Sequence, residues 1–204
     1  KMRKLIVFLL LVSCKTPEKE WVSLIKNNSL DGWHIFQDDG QKSGWRVEND
    51  ILIFDKISGL ESGEDDSSLL SDKSYSSFEI SFEWKIEEGG NSGFMWNVSE
   101  DSIYKYPYQT GPEIQIIDPS VYSKPEDVLG GSIELNNVLA DLKEKKHYLG
   151  AVYDLFSPKD KFKFNPVGEW NHYEIKIDQK NNQGLLKLNG MTINEFPLRG
   201  PEWD

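Results

Sequence analysis

The chain has 204 residues, of which 12% are aromatic and 28% are charged, and its formal net charge is −11. The length fits one domain at the usual figure of roughly 150 residues per domain, and the aromatic content excludes an intrinsically disordered chain. An acidic surface repels phosphate, so nucleic acid is excluded as a partner. The conspicuous apolar run, residues 5–12, is far shorter than the roughly 20 residues that span a bilayer, which excludes a membrane-spanning protein.

The N-terminal residues have the layout of a secretory signal, with a basic segment, then the apolar run, then Ser13 and Cys14. A small residue followed by Cys resembles the lipobox of bacterial lipoproteins, whose Cys is lipidated. A plain signal peptide with an incidental Cys is the alternative. We therefore predict a lipoprotein signal peptide over residues 1–13 and a lipidated Cys14 with a tether over 14–20. The protein would be exported and held at the outer membrane, on its periplasmic or surface face, through the lipid on Cys14.

From Trp21 onward the apolar residues mostly alternate with polar ones, which is typical of half-buried antiparallel strands. The clearest case is residues 78–86, and the Asn189-Gly190 pair is a strong hairpin signal. Strands are predicted over residues 44–46, 51–54, 78–86, 92–98, 113–117, 149–154, 173–178, 185–188 and 191–196. Residues 132–142 are predicted to form a loop with at most one helical turn, because Asn136 and Asn137 interrupt their apolar spacing. Many short strands with little helix predict a single all-β domain, a sandwich or barrel, over residues 21–204.

The segment Gly111–Pro119 carries the most informative polar residues. Glu113 and Gln115 share one face of the predicted strand, and Asp118 follows at its end, before the turn at Pro119. A carboxylate beside a carboxamide could bind sugar hydroxyls, ligate a metal through oxygen, or act in acid–base chemistry. A solvated outer sheet face is the alternative.

Four further residues are candidates for ligand contacts. The hydroxyl of Tyr153 could bind an oxyanion or a sugar hydroxyl, although aromatic core packing is the commoner role of such a Tyr, and His147 directly precedes the same segment. Asn91 could present a hydrogen-bonding group at a sheet rim, and Trp96 could stack on a pyranose. Turn capping by Asn91 and core packing by Trp96 are equally compatible with the sequence. The histidine spacing does not indicate zinc.

Seven short segments, taken together and in this order, resemble the 3-keto-disaccharide hydrolase family. They are Leu30–Trp33, Trp45–Asp50, Asn91–Gly93, Gly111–Asp118, Gly150–Tyr153, Gly168–Asn171 and Leu188–Gly190. The resemblance runs from about Trp21 to Asp204 and implies a concanavalin A-like jelly-roll sandwich of two antiparallel sheets. Members of the family usually continue beyond this point into one more strand, so either the chain is truncated at its C-terminus or it lacks an edge strand.

The resemblance also implies the chemistry. A ketone at C3 of a glycoside acidifies the C2 proton, so a base can remove it, the C1–O bond can break by elimination, and water can add back. On this reading Glu113 is the base or a metal ligand, and Gln115 is a ligand or a donor to the enolate oxygen. Asp118 orients or shares the base, while His147 and Tyr153 donate protons. The cofactor is unknown; a divalent metal would bind at Glu113 and Gln115.

Two functions from different classes therefore follow from the sequence. The first is an exported hydrolase that cleaves 3-keto-glycosides or 3-keto-disaccharides. The second is a non-catalytic, lectin-like carbohydrate-binding module on the cell surface, because sandwiches of this kind host both functions. In either case the partner is a carbohydrate.

Overall fold

The structure is a computed structural model, which describes residues 20–37, 43–55, 68–121, 132–134 and 145–203. The predicted signal peptide and the lipidation residue Cys14 lie outside the described residues, so both stay predictions. Within the described ranges, no helical segment has the length and apolarity needed to cross a bilayer.

The described part of the chain contains twelve antiparallel strands and three short 3₁₀ helices, joined by turns and loops. The strands are β1 (Trp33–Ile35), β2 (Trp45–Glu48), β3 (Ile51–Phe54), β4 (Leu69–Ser71), β5 (Phe78–Trp84), β6 (Asn91–Met95), β7 (Glu113–Ile117), β8 (Ser132–Glu134), β9 (Lys161–Lys163), β10 (Asn171–Asp178), β11 (Gln183–Leu188) and β12 (Met191–Phe196). The helices span Pro107–Gln109, Pro119–Val121 and Pro201–Trp203. The all-β prediction is confirmed.

The first layer is a four-stranded sheet in the order β12-β11-β10-β5. Strand β10 alternates strictly: the side chains of Tyr173, Ile175 and Ile177 are buried, while those between them are partly exposed. This is the period-two pattern of the sequence, so the apolar face packs inward and the charged face meets solvent.

The second layer is built on the β6–β7 pair. Val152 extends it on the far side of β7 through an antiparallel bridge to Ile114. The rings of Phe82 in β5 and Phe94 in β6 lie 6.0 Å apart between the layers. Tyr173 donates its hydroxyl to the Gln115 carbonyl oxygen at 3.1 Å. The core therefore lies between these two antiparallel layers, as the predicted sandwich requires.

Two local predictions were wrong. Residues 149–154 do not form a regular strand: only Val152 makes bridges, to Ile114 and to Phe156, because the chain turns back at once after it. In the predicted loop 132–142, Ser132–Glu134 form strand β8, which pairs with β9; residues 135–142 lie outside the described ranges. Pairing with a distant strand overrides the weak local preference of this segment.

Candidate functional site

Strand β7 is hydrogen-bonded to neighbouring segments along both of its edges. The register of β6 and β7 sets Met95 opposite Glu113 and Gly93 opposite Gln115. On the other side, the Tyr153 N–H donates to the Glu113 carbonyl oxygen (2.9 Å), and the Gln115 N–H donates to Ala151 (2.9 Å). Directly opposed residues of an antiparallel ladder project to the same face. The fold therefore places Glu113, Gln115 and Tyr153 together on one surface of the second layer.

Glu113 occupies space that only a glycine neighbour leaves open. A Cβ atom added to Gly93 would collide with the Glu113 side chain, and Oε1 is the carboxylate atom nearest to it. The half-buried Glu113 side chain thus lies across the backbone of β6 instead of extending into solvent. A carboxylate held against a sheet in this way has a defined direction, which a general base needs.

Gln115 lies at the floor of this surface and is only 2% exposed. Its Nε2 donates to the His147 carbonyl oxygen at 3.5 Å. Its Oε1 is buried and, among the described residues, accepts no hydrogen bond. An unsatisfied buried acceptor is costly, so it marks a place where a ligand hydroxyl or another donor would be stabilised.

His147 and Tyr153 form a stacked pair beside this floor, with ring centroids 4.3 Å apart and planes inclined by 10°. Tyr153 is 38% exposed and lies opposite Glu113, so core packing does not describe its position. Nε2 of His147 lies 2.6 Å from Oδ1 of Asp154. The fold therefore brings together four of the predicted site residues, Glu113, Gln115, His147 and Tyr153.

Asp118 is separate from this group. By the alternation of β7 it falls on the opposite side from Glu113, and its carboxylate accepts hydrogen bonds from the backbone N–H groups of Gly89 (2.7 Å) and Ser120 (2.8 Å). Burial raises the pKa of Asp118, but these hydrogen bonds outweigh it and hold the pKa below its usual value. Asp118 thus fixes the turn before β6 and the end of β7, so we leave it out of the proposed chemistry.

Asn91 and Trp96 occupy different environments. Asn91 begins β6 on the same face as Gly93, and its side chain is exposed at the far end of the site. Trp96 is only 6% exposed and stacks on Phe196 at 5.8 Å. A ring enclosed by the core cannot stack on a sugar, so the packing alternative describes Trp96.

The site offers few side-chain ligands for a metal ion. Glu113 and Gln115 supply neighbouring oxygen atoms, whereas hard cations take about six or more oxygen ligands. No group of three or more His, Cys, Asp or Glu side chains that could hold a metal ion occurs in the described ranges. We therefore derive no step through a metal.

Two residues of the site carry no strong signal in the sequence. Gly93 lies in one of the seven segments that resemble the family. Only its packing against Glu113 shows that a side chain at this position would collide with the Glu113 side chain. Asp154 reads as the polar end of a strand, yet its φ of +59° and its contact with His147 place it at the site. The Gly93–Glu113 contact joins segments that are distant in the chain, whereas the Asp154–His147 contact is local.

The chain is similar to several known proteins. The chain is 24% identical over 166 residues to a 3-keto-disaccharide hydrolase of Bacteroides thetaiotaomicron, and this match covers 77% of the chain and 52% of the relative. The chain thus spans about half the length of that curated relative.

Two crystal structures from Parabacteroides distasonis, both of candidate glycosyl hydrolases, have the same fold. One superposes with a TM-score of 0.66 at 28% identity, the other with 0.60 at 22%, and each match covers 88% of this chain and 73% of that one. The family described as the 3-keto-alpha-glucoside-1,2-lyase-like domain matches residues 20–204. The chain belongs to this family, as its seven segments predicted.

Proposed function

We propose that the protein is a carbohydrate-active hydrolase that cleaves 3-keto-glycosides, with 3-keto-disaccharides as its substrate class. Family membership and the related hydrolases support a glycosyl hydrolase-like activity. The observation that carries the finer proposal is the convergence of Glu113, Gln115, His147 and Tyr153 on one sheet face.

The proposed reaction begins at C2, whose proton is acidified by the neighbouring C3 ketone. Glu113 takes this proton, and the electron pair of the C–H bond forms a C1–C2 double bond as the C1–O bond breaks. The departing oxygen takes a proton from the His147 and Tyr153 pair. Water then adds across the double bond: its hydroxide bonds to C1 while its proton returns to the His147 and Tyr153 pair, and Glu113 returns the proton it took to C2, which releases the 3-keto sugar.

Gln115 has the polarity to bind the substrate at the floor of the site. Its buried Oε1 would accept a hydrogen bond from a sugar hydroxyl, and its Nε2 is a donor near the same position. Donors and acceptors fixed by the fold before the reaction stabilise developing charge without reorganisation. Unlike glycosidases with an oxocarbenium-like transition state, this route does not need a pair of carboxylates across the bond.

The test is release of reducing sugar from a 3-keto-glycoside and from its unoxidised parent, with and without a chelator. We expect cleavage of the keto substrate alone, and at least a hundredfold loss of kcat in Glu113→Gln, since general base catalysis contributes about 10²–10⁴-fold. Glu83→Gln, on the exposed face of β5, is the matched control and should retain full activity. Loss of activity with chelator would assign a role to a metal.

The outcomes separate the two candidate functions. Full activity of Glu113→Gln would remove this residue from the base role. A folded protein that cleaves neither substrate but binds the unoxidised glycan would instead be a lectin-like module. Export and lipidation at Cys14 belong to the same proposal, and labelling of the protein with a radioactive fatty acid, lost in Cys14→Ser, tests them.

A further inference from the structure

Asp154 has a left-handed backbone conformation in the loop that follows His147. Its φ of +59° lies in the left-handed region, which glycine adopts freely and which, among the other residues, Asn and Asp adopt most readily. Its backbone N–H donates to the Lys146 carbonyl oxygen at 3.1 Å, which closes the loop between residues 146 and 154.

This conformation directs the Asp154 carboxylate to His147. Oδ1 lies 2.6 Å from Nε2 of the imidazole, which is a short hydrogen bond between a carboxylate that is 62% exposed and a His side chain that is 13% exposed. An ionised carboxylate only accepts hydrogen bonds, so Nε2 is the nitrogen that carries the proton. The Asp154 contact therefore fixes both the tautomer and the plane of the ring.

The orientation is passed on to the rest of the site. The imidazole lies flat against Tyr153, and Tyr153 is bonded through its backbone to Glu113. A continuous series of contacts thus runs from Asp154 through His147 and Tyr153 to β7.

We propose that Asp154 is a positioning residue, which sets the tautomer of His147 and holds the His147–Tyr153 pair over Glu113. This inference rests on the proposed function for its kinetic consequence, but its structural part is independent of it. Asp154 acts through His147 and need not touch the substrate. Carboxylates that orient a functional histidine are common, because the second hydrogen bond of an imidazole decides what its first nitrogen can do.

Two substitutions remove the carboxylate without a conformational penalty. Asn and Gly both tolerate a positive φ, so Asp154→Asn and Asp154→Gly should fold. Asn keeps an oxygen that can accept from Nε2 but loses the charge, whereas Gly loses the contact entirely. Asp50→Gly is the matched control, because Asp50 has the same φ of +59° and lies in the turn between β2 and β3.

The first readout is the ring N–H signal of His147 in ¹⁵N-labelled protein. The chain has only three histidines, and the other two serve as internal references because they bond elsewhere, His34 to Asp72 and Glu100, His172 to Ser81. We expect a slowly exchanging Nε2–H of His147 in the wild type and in Asp154→Asn. In Asp154→Gly this signal should be lost. An unchanged His147 signal in Asp154→Gly would overturn the inference.

The second readout separates positioning from stability. We expect Asp154→Gly to lower kcat for the keto substrate by about tenfold to a hundredfold, part of what acid–base catalysis supplies, with a change in KM of less than about threefold. Asp154→Asn should be intermediate and Asp50→Gly unaffected. Equal kcat in all variants would contradict a positioning role. If the wild type cleaves neither substrate, the proposed function fails, and the NMR signal still decides whether Asp154 positions His147.

Discussion

At the scale of single residues, the missing side chain of Gly93 decides where the Glu113 carboxylate lies. The three atoms nearest to a Cβ at Gly93 all belong to the Glu113 side chain, and none of them is a backbone atom. A methyl group there would therefore displace the carboxylate while the pairing of β6 and β7 stays intact. Position 93 controls geometry more than stability.

We accordingly expect Gly93→Ala to lower kcat by about a hundredfold, since a misplacement near 1 Å can cost that much. Its thermal unfolding midpoint should stay close to that of the wild type. Ser92→Ala, one residue away on the opposite face of β6, is the control and should keep full activity. Normal activity of Gly93→Ala would mean that the position of Glu113 is not critical.

At the scale of elements, one side chain ties the two layers together directly behind the site. Tyr173 of β10 is fully buried, and burial raises the pKa of its phenol well above the usual value, so the hydroxyl stays protonated and donates. It donates to the Gln115 carbonyl oxygen, which also accepts from the Gly150 N–H at 3.0 Å. The four-stranded sheet thus fixes the position of the Gln115 backbone at the base of the site.

We expect Tyr173→Phe to lower the free energy of unfolding by about 1 kcal/mol, because the Gln115 carbonyl keeps its second partner and is not left unsatisfied. Urea denaturation at neutral pH measures this change. Tyr75→Phe removes the hydroxyl of an exposed ring and should change the free energy of unfolding very little. A loss above about 3 kcal/mol in Tyr173→Phe would indicate that the hydroxyl supports more than this one bond.

At the scale of the whole molecule, the stability should depend on pH through His34. Hydrogen bonds from the His34 ring to the Glu100 carboxylate and then to the Asp72 carboxylate raise the pKa of His34 above its usual 6.5. Burial raises the pKa of Glu100, but its hydrogen bonds with His34 and with the Gln37 N–H, together with the charge of His34, outweigh this and leave the pKa below 4.5. These contacts join β1 to the segments that follow β4 and β6.

The directions of these two pKa changes decide how the stability varies with pH. A raised His pKa stabilises the fold fully below pH 6.5, and this contribution disappears as the pH rises through the pKa of His34. A lowered Glu pKa stabilises the fold above pH 4.5, and this contribution disappears as the pH falls through the pKa of Glu100. The contribution of the His34–Glu100 pair is therefore greatest between pH 4.5 and 6.5.

Between pH 6.5 and pH 8.5 the free energy of unfolding should fall further in the wild type than in His34→Gln. We expect this extra fall to be less than about 1 kcal/mol, because both side chains of the pair are more than a third exposed. Urea denaturation at each pH, with both proteins in parallel, measures the difference. Parallel stability curves for the two proteins would show that His34 does not contribute.

Much of the fold could be predicted from local patterns. Residues 51–54, 113–117 and 191–196 form strands with the predicted bounds, and residues 78–86 and 173–178 match β5 and β10 to within two residues at each end. In these segments the sequence itself predicts the burial pattern, because the alternation of apolar and polar residues decides which side chains are buried. The segments 132–134 and 149–154 lack such a pattern, and their pairing depends on distant partners.

The sequence by itself determined the family, the all-β class and the residues that carry polar groups on β7, because residue type and period-two spacing are local properties. Only the tertiary structure decided which of these groups meet. It set His147 and Tyr153 beside Glu113, placed Asp154 against His147, and moved Asp118 and Trp96 away from the site. Each of these placements, other than the local contact of Asp154, depends on strand pairing or packing between distant segments, and local spacing does not specify that pairing.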